Sequence, residues 1–203
     1  MSFKYGVVIT GLIASGKSSV CELLRAQNYE IICADSIAHA VLDENSSKIS
    51  ELFGANFVKN GAVDRKALGA LVFSDKEAKR RLEELLHPLI HAKILKFSQN
   101  LESKKKLYFV DIPLFFESGG KQKYDFSAVL LVYAPKELCL KRILTRDKMD
   151  EKSALLRLNS QIDIEKKRKM SDFVLENTSD FDDLKSNLNV ILTRILEFQK
   201  GNK

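Results

Sequence analysis

The chain has few cysteines, and those it has lie far apart. Cys21, Cys33 and Cys139 are an odd number, and no two of them form a Cys-x-x-Cys pair. A disulfide framework uses an even set, and a structural zinc site uses closely spaced ligands. The cysteine pattern therefore argues against both, and it indicates a reducing, intracellular setting.

Long apolar runs are lacking as well. No stretch approaches the roughly 20 apolar residues that a membrane-spanning helix needs. The apolar segment YGVVIT at 5–10 leads directly into a glycine-containing loop, so we expect a core strand there and no signal peptide. The sequence thus predicts a cytoplasmic protein with no membrane partner.

The net charge of +6 is not accompanied by aromatic residues where the basic residues cluster. Residues 141–169 contain many Lys and Arg but no Phe, Tyr or Trp. A nucleotide-regulated nucleic-acid-binding module is one hypothesis that the charge suggests, but such a surface normally presents stacking aromatics. Small polyanionic substrates explain the charge better, and we expect no nucleic-acid partner.

What the chain does have is a regular alternation of apolar and helical segments. The last helix shows the clearest period, with apolar residues at 184, 188, 191, 192, 195 and 196. This alternation predicts an α/β fold of three layers around a parallel sheet. The expected strands lie at 5–10, 29–35, 106–117 (broken by Pro113), 127–135 and 172–177.

Two segments interrupt the alternation. Residues 36–104 have helical character and no convincing strand, so we expect a helical insertion there. Residues 141–169 are polar and basic, which suggests a mobile helical flap. The core would then consist of residues 1–35, 105–140 and 170–203.

A phosphate-loop motif follows the first strand. Gly11, Gly16, Lys17 and Ser18 fit the pattern G-x-x-x-x-G-K-[ST] between an apolar strand and an amphipathic helix. In such a loop, backbone N–H groups surround a polyphosphate, the lysine reaches its β- and γ-phosphates, and the hydroxyl binds Mg²⁺. The alternative is an ordinary strand–helix turn with a surface lysine, but the strand and helix context favours a nucleotide site.

The chain lacks N-K-x-D, the usual guanine-reading signal, and is short for most helicase or transporter cores. A small kinase remains, which needs a carboxylate near the acceptor hydroxyl and arginines that neutralise developing charge. Asp35 ends the second strand and could fill the first role, or it could cap the helix starting near Ser36. Asp111 ends the third strand and could hold a water on Mg²⁺, or it could be a strand-end turn residue.

Arg142 and Arg146 lie four residues apart and hence on one helix face. On a closing lid they would stabilise charge on the transferred oxygens. A solvated basic face is the alternative for them, and it is our interpretation of most of the nearby lysines. The three histidines are weak signals by themselves.

Taken together, these residues resemble the dephospho-CoA kinase family over nearly the whole chain. The segments HPLI and IPLFFE are more specific than the phosphate loop, and they discriminate against a related kinase with another acceptor. In chain order the matching segments are TGLIASGKSS, ADSIAH, FGANFVKNGAVDRKALGALVF, LEELLHPLI, DIPLFFE, LKRILTRD and SQIDIEKKRKMSDFVLEN.

The resemblance implies transfer of the ATP γ-phosphate to the 3′-hydroxyl of dephospho-CoA, with Mg²⁺, in a monomer or small homo-oligomer. It also implies that residues 36–104 bind the CoA substrate and that 141–169 form a lid. The implied catalytic residues are Asp35, Lys17, Arg142 and Arg146. The implied ATP-binding residues are Gly11, Ala14, Ser15, Gly16, Lys17, Ser18, Ser19 and Asn177, with Ser18 and Asp111 toward the metal. The implied substrate-binding residues are Asp35, His39, Arg65, His87, Pro88, Pro113, Leu114 and Glu117.

Three positions depart from the family pattern. Ala14 replaces a loop glycine, which is harmless only if its φ is negative. Cys33 replaces the first Asp of D-A-D, although the second survives as Asp35. His39 stands where an arginine is usual, so we expect substrate binding to weaken at high pH as the imidazole loses its charge.

Overall fold

A computed structural model describes residues 2–201 of the chain. Within that range, the strands are β1 (Phe3–Gly11), β2 (Ile31–Cys33), β3 (Val58–Lys59), β4 (Ala62–Val63), β5 (Tyr108–Asp111), β6 (Phe126–Tyr133) and β7 (Phe173–Glu176). The helices are α1 (Lys17–Ala26), α2 (Ala34–Glu44), α3 (Ser46–Phe53), α4 (Arg65–Ser74), α5 (Lys76–Glu102), α6 (Gly120–Lys123), α7 (Lys136–Asp147), α8 (Glu151–Asn159), α9 (Ile164–Met170) and α10 (Phe181–Gly201).

Five strands form the central sheet in the order β2-β5-β1-β6-β7. The pairings of β1 with β5, β1 with β6, and β6 with β7 are all parallel. Both faces of this sheet are covered, which is why its strands are apolar throughout instead of alternating. The predicted α/β fold with a parallel sheet is confirmed.

The core lies on the two faces of the sheet. On one face, Ile9 and Leu130 pack with Val20 and Leu24 of α1 and with the apolar stripe of α10. On the other face, residues of α7 and α8 pack around Leu131. The periodicity of the last helix is confirmed at Leu184, Leu188, Ile191, Leu192 and Ile195, which are buried. Leu196, at the edge of the stripe, is partly exposed (39%).

The chain divides into two compact units. One comprises the residues up to Ile32 and from Ser98 onward, and the other comprises Cys33–Phe97. The second unit is mostly helical, with Val41, Ile49 and Ile94 buried inside it. The expectation that this region has no strand was wrong, because β3 and β4 form an antiparallel hairpin.

The hairpin turn consists of Asn60 and Gly61, both with positive φ (52° and 80°). Asn-Gly is the dipeptide best suited to a two-residue hairpin turn of this hand, because the twist of the turn matches that of the strands. The strands are only two residues long, which is why the flanking apolar pattern did not reveal them.

In residues 2–201, none of the helices combines the length and the apolar character that a membrane span requires.

Candidate active site

The phosphate-loop motif connects the end of β1 at Gly11 to the start of α1 at Lys17. Gly16 has a φ of 94°, and a Cβ added there would lie 1.9 Å from the Asn177 Nδ2 atom. A Cβ added at Gly11 would lie 2.5 Å from Ser15 Oγ and 2.7 Å from the Val132 carbonyl oxygen. A side chain at either position would clash with these neighbours, so both motif positions require glycine.

Ala14 lies between the two motif glycines with a φ of 62°. Alanine would be harmless here only at a negative φ. At this positive φ the backbone crowds the Cβ atom of alanine. The loop is therefore strained at this residue, and the contacts around it must hold it in place.

The start of α1 offers hydrogen-bond donors to an anion. The first N–H groups of a helix have no acceptor within the helix, and the helix dipole makes this end positive. No side chain in the described part of the molecule caps this end of α1. Ser15 is buried, and its Oγ atom has no hydrogen-bond partner among residues 2–201. These groups suit a polyphosphate, whose oxygens accept hydrogen bonds.

The motif lysine is paired with a carboxylate at the end of β5. Lys17 Nζ lies 2.5 Å from Asp111 Oδ1, and both side chains are largely buried. The thiol of Cys21, on α1, lies 3.7 Å from Asp111 Oδ2. Burial, and secondarily the charge of Asp111, raises the pKa of the Cys21 thiol to about 12, so it stays protonated and can donate to the carboxylate. Asp111 is thus both the last strand residue and a member of the site.

Two further predicted residues contact the phosphate loop. Asn177, directly after β7, donates from Nδ2 to the Ser15 carbonyl oxygen at 2.8 Å. Arg142, on α7, donates from Nη2 to the Asn177 carbonyl oxygen at 3.1 Å. Its Nη1 donates to the Ser15 and Ala14 carbonyl oxygens at 3.4 and 3.5 Å. Both side chains therefore hold the loop through its carbonyl groups.

Arg146 has a different environment, although it shares a helix face with Arg142. Its guanidinium donates a bidentate pair of hydrogen bonds to the carboxylate of the neighbouring Asp147, at 2.6 and 3.0 Å. Its side chain is 61% exposed, so it is directed to solvent. The two arginines are not equivalent in this structure.

In the second unit, Asp35 and His39 are exposed and lie one turn apart on α2. Asp35 does not cap the helix, because α2 begins at Ala34 with Cys33 in the cap position. Asp43 continues the same face one turn later and pairs with Arg65, the first residue of α4. The ion pair brings Arg65 to the helix that carries Asp35 and His39.

His87 and Pro88 lie in the middle of α5 and are exposed. The remaining predicted substrate residues follow β5 in the first unit. The Pro113 carbonyl oxygen accepts a hydrogen bond from Thr10 Oγ1 at 3.0 Å, and Leu114 is half-exposed. Glu117 points inward.

Glu117 anchors the segment between α8 and α9. Its Oε1 accepts a hydrogen bond from the Ile162 N–H at 2.9 Å and lies 2.8 Å from Lys167 Nζ. Lys167 is completely buried. In this structure the Glu117 carboxylate is therefore engaged by the protein itself.

Sequence patterns did not identify two residues of this neighbourhood. Gln161 Oε1 accepts a hydrogen bond from the Ile13 N–H of the phosphate loop at 2.9 Å. Lys167 lies within a run of four basic residues, where a solvated face was the natural interpretation. A single buried member of such a run is recognisable only by the helical position that it occupies, and an isolated glutamine between helices gives no signal.

Comparison with known proteins identifies the family. The family model described as dephospho-CoA kinase matches residues 5–183. The chain belongs to the dephospho-CoA kinase family. It is 44% identical to the dephospho-CoA kinase of Helicobacter pylori over 196 residues, which cover 97% of this chain and 100% of that protein. The family resemblance drawn from the motifs is thereby confirmed.

Solved structures agree with this family membership. The dephospho-CoA kinase from Campylobacter jejuni matches with a TM-score of 0.76 at 42% identity, covering 98% of this chain and 99% of that one. A shikimate kinase from Acinetobacter baumannii matches with a TM-score of 0.51 at 18% identity, covering 95% and 93% of the two chains. This second likeness shows only that the fold is shared.

Proposed function

We propose that this chain carries out the reaction of its family, in which ATP phosphorylates the 3′-hydroxyl of dephospho-CoA to give CoA and ADP. The observation that supports this best is the phosphate loop between β1 and α1, with two glycines that leave no room for a side chain and with Lys17 paired to Asp111. Family membership supplies ATP as the phosphate donor. For the acceptor, the proposal rests on the relatives and on the motif residues that match them.

The donor site would act mainly by positioning and charge neutralisation, which are the principal needs of phosphoryl transfer. The N–H groups at the start of α1 would bind the phosphates, and Lys17 would move from Asp111 to the β- and γ-phosphates. Arg142 and Asn177 would keep the loop in its binding conformation. Arg146, now directed to solvent, would contribute only after closure of the lid segment 141–169.

Mg²⁺ fits the donor set at this position. It prefers one or two protein oxygens together with phosphates and waters. Ser18 presents an exposed hydroxyl in the first turn of α1, and Asp111 presents a carboxylate at the end of β5. We propose that these two side chains would hold the ion, which supplies neutralisation of phosphate charge when bound.

Asp35 is our proposed base or orienting group for the acceptor hydroxyl, with His39, Arg65 and His87 as acceptor-binding residues. The Asp35 carboxylate is exposed in the first turn of α2, which leaves it accessible to an acceptor hydroxyl. We also retain the expectations of a cytoplasmic setting and of a monomer or small homo-oligomer. Three free cysteines support the reducing setting.

Replacement of Asp35 by Asn tests the base assignment. We expect Asp35→Asn to lower kcat by roughly 10²- to 10⁴-fold, the usual contribution of a positioned acid or base. ADP affinity should not change, because the amide leaves the donor site untouched. Glu51→Gln is the matched control, since it removes an exposed carboxylate from α3 of the same unit, where no role is assigned. A near-normal kcat for Asp35→Asn would contradict the assignment.

The function itself is tested by the choice of acceptor. Purified protein is supplied with Mg²⁺-ATP and with dephospho-CoA, adenosine, AMP or shikimate, and ADP release is measured. Turnover with dephospho-CoA alone, with CoA as product, is the expected result. Turnover with another acceptor would leave the phosphate-loop assignment intact and refute the proposed substrate.

A further inference from the structure

The phosphate loop is held from outside by side chains from three separate parts of the chain. Asn177 and Arg142 bind the carbonyl groups of Ser15 and Ala14, as described above. The third contact differs in kind, because Gln161 accepts from a loop N–H group, that of Ile13. Three consecutive loop residues thus each have a fixed outward partner.

Ile13 immediately precedes the strained residue of the loop. A residue with positive φ other than glycine persists only where the surrounding structure determines its conformation. Asn177 and Arg142 act on the carbonyl side of Ala14. On the amino side, the Gln161 contact fixes the peptide group between Leu12 and Ile13.

Gln161 is itself firmly placed by its neighbours. The Gln161 N–H donates to the Leu158 carbonyl oxygen at 3.2 Å, which continues the end of α8. The next residue, Ile162, donates its N–H to Glu117. Ile164 is buried in the core cluster that contains Leu12 of the loop. The side-chain oxygen is therefore presented to Ile13 by an anchored backbone.

We propose that Gln161 is a positioning residue for nucleotide binding, which holds the phosphate loop in its binding conformation through the Ile13 N–H before nucleotide arrives. This inference rests on the proposed donor site. Without the Gln161 oxygen, the strained loop would relax in the free protein, and nucleotide binding would have to restore its conformation. Gln161 itself need not touch the phosphates.

The test compares Gln161→Leu, which removes the acceptor at similar size, with Gln161→Glu, which keeps an acceptor oxygen. In the free protein, hydrogen exchange of the Ile13 amide is measured by NMR. We expect Gln161→Leu to accelerate this exchange and Gln161→Glu to restore protection. Unfolding midpoints should remain near that of the wild type, because Gln161 is only half-buried.

ADP affinity, measured by titration calorimetry, is the second readout. Gln161→Leu should weaken ADP binding roughly 3- to 10-fold, the effect of one neutral hydrogen bond. Asn159→Leu is the matched control, because Asn159 lies two residues before Gln161. Its side-chain oxygen accepts a hydrogen bond from Lys136 and makes no contact with the loop. We expect its ADP affinity and Ile13 exchange to match those of the wild type.

Lys17→Ala separates failure of this inference from failure of the donor site. If Lys17→Ala loses ADP binding while Gln161→Leu changes neither Ile13 exchange nor ADP affinity, the role of Gln161 is refuted and the donor site stands. If Lys17→Ala binds ADP as well as the wild type, the donor site on which the inference rests is refuted instead.

Discussion

At the scale of single residues, Ala14 is the clearest compromise in the phosphate loop. Its left-handed backbone costs about 1–2 kcal/mol relative to a normal conformation. Glycine would avoid this cost, but its greater freedom in the unfolded chain would lower the free energy of unfolding by about 0.4–1 kcal/mol. We therefore expect Ala14→Gly to raise the free energy of unfolding by up to about 1.5 kcal/mol, as measured by urea denaturation of the free protein.

A second alanine provides the contrast for that measurement. Ala70 is exposed within α4, where alanine is the better residue. Ala70→Gly should therefore destabilise the protein by roughly 0.5–1 kcal/mol. A loss of stability of this size for Ala14→Gly as well would show that the positive φ carries no strain.

The three thiols should differ sharply in reactivity. Burial raises the pKa of Cys21 to about 12 and that of Cys139 to about 11, whereas Cys33 is half-buried. A thiol reacts as its thiolate, so raised pKa values slow the reaction at pH 8. We expect Ellman's reagent to titrate one thiol in the native protein and three after denaturation.

The site of that single reaction is checked with Cys33→Ser, which should leave no fast-reacting thiol.

The raised pKa values of Cys21 and Cys139 also make the free energy of unfolding depend on pH. Below pH 9 the thiols are protonated in both states, but above it the unfolded chain ionises first. Stability should therefore fall as the pH rises from 9 toward 12. Rapid labelling of Cys21 in the native protein would contradict the assigned burial.

At the scale of secondary-structure elements, α9 is attached by an ion pair inside the protein. Lys167 Nζ lies 2.8 Å from Glu117 Oε1, yet the ammonium donates no well-directed hydrogen bond to any of residues 2–201. Removing one member of a buried pair leaves an uncompensated charge, which typically costs 3–5 kcal/mol. We expect Lys167→Met to destabilise the protein by about 3 kcal/mol in urea denaturation.

The double variant Glu117→Gln with Lys167→Met should recover much of that loss. The neutral amide can still accept from the Ile162 N–H, and no charge is left unpaired. Lys166→Met is the matched control, since Lys166 is exposed on the same helix. Additive losses in the double variant would mean that the two side chains do not interact as a pair.

The same elements show what the sequence reveals and what it hides. Strands buried on both faces are recognisable because their whole segment is apolar, as in β1 and β6. The β3–β4 hairpin was missed because two-residue strands have no measurable period, although Asn60-Gly61 was a turn signal. The phosphate loop was predictable because its chemistry depends on consecutive residues. The contacts of Gln161, Arg142 and Asn177 with the loop join distant parts of the chain, so no local pattern records them.

At the scale of the whole molecule, the donor residues lie in the first unit, whereas the proposed base and the acceptor residues of α2 lie in the second. Lys17, Asp111 and Arg142 belong to the first unit, and Asp35 and His39 belong to the second. Each substrate should therefore slow the hydrogen exchange of backbone amides in a different part of the chain. Hydrogen exchange followed by mass spectrometry, with one substrate at a time, measures this directly.

A non-hydrolysable ATP analogue should slow exchange in residues 9–20, where the loop and the start of α1 bind phosphate, and in the segment 141–169 if this closes as a lid. Dephospho-CoA alone should instead slow exchange in α2. Ligand binding stabilises only the states that bind it, so protection should grow with ligand concentration until the site is saturated. Unchanged exchange in 141–169 with saturating nucleotide would refute lid closure. Unchanged exchange in α2 with saturating dephospho-CoA would refute the assignment of Asp35 and His39 to the acceptor.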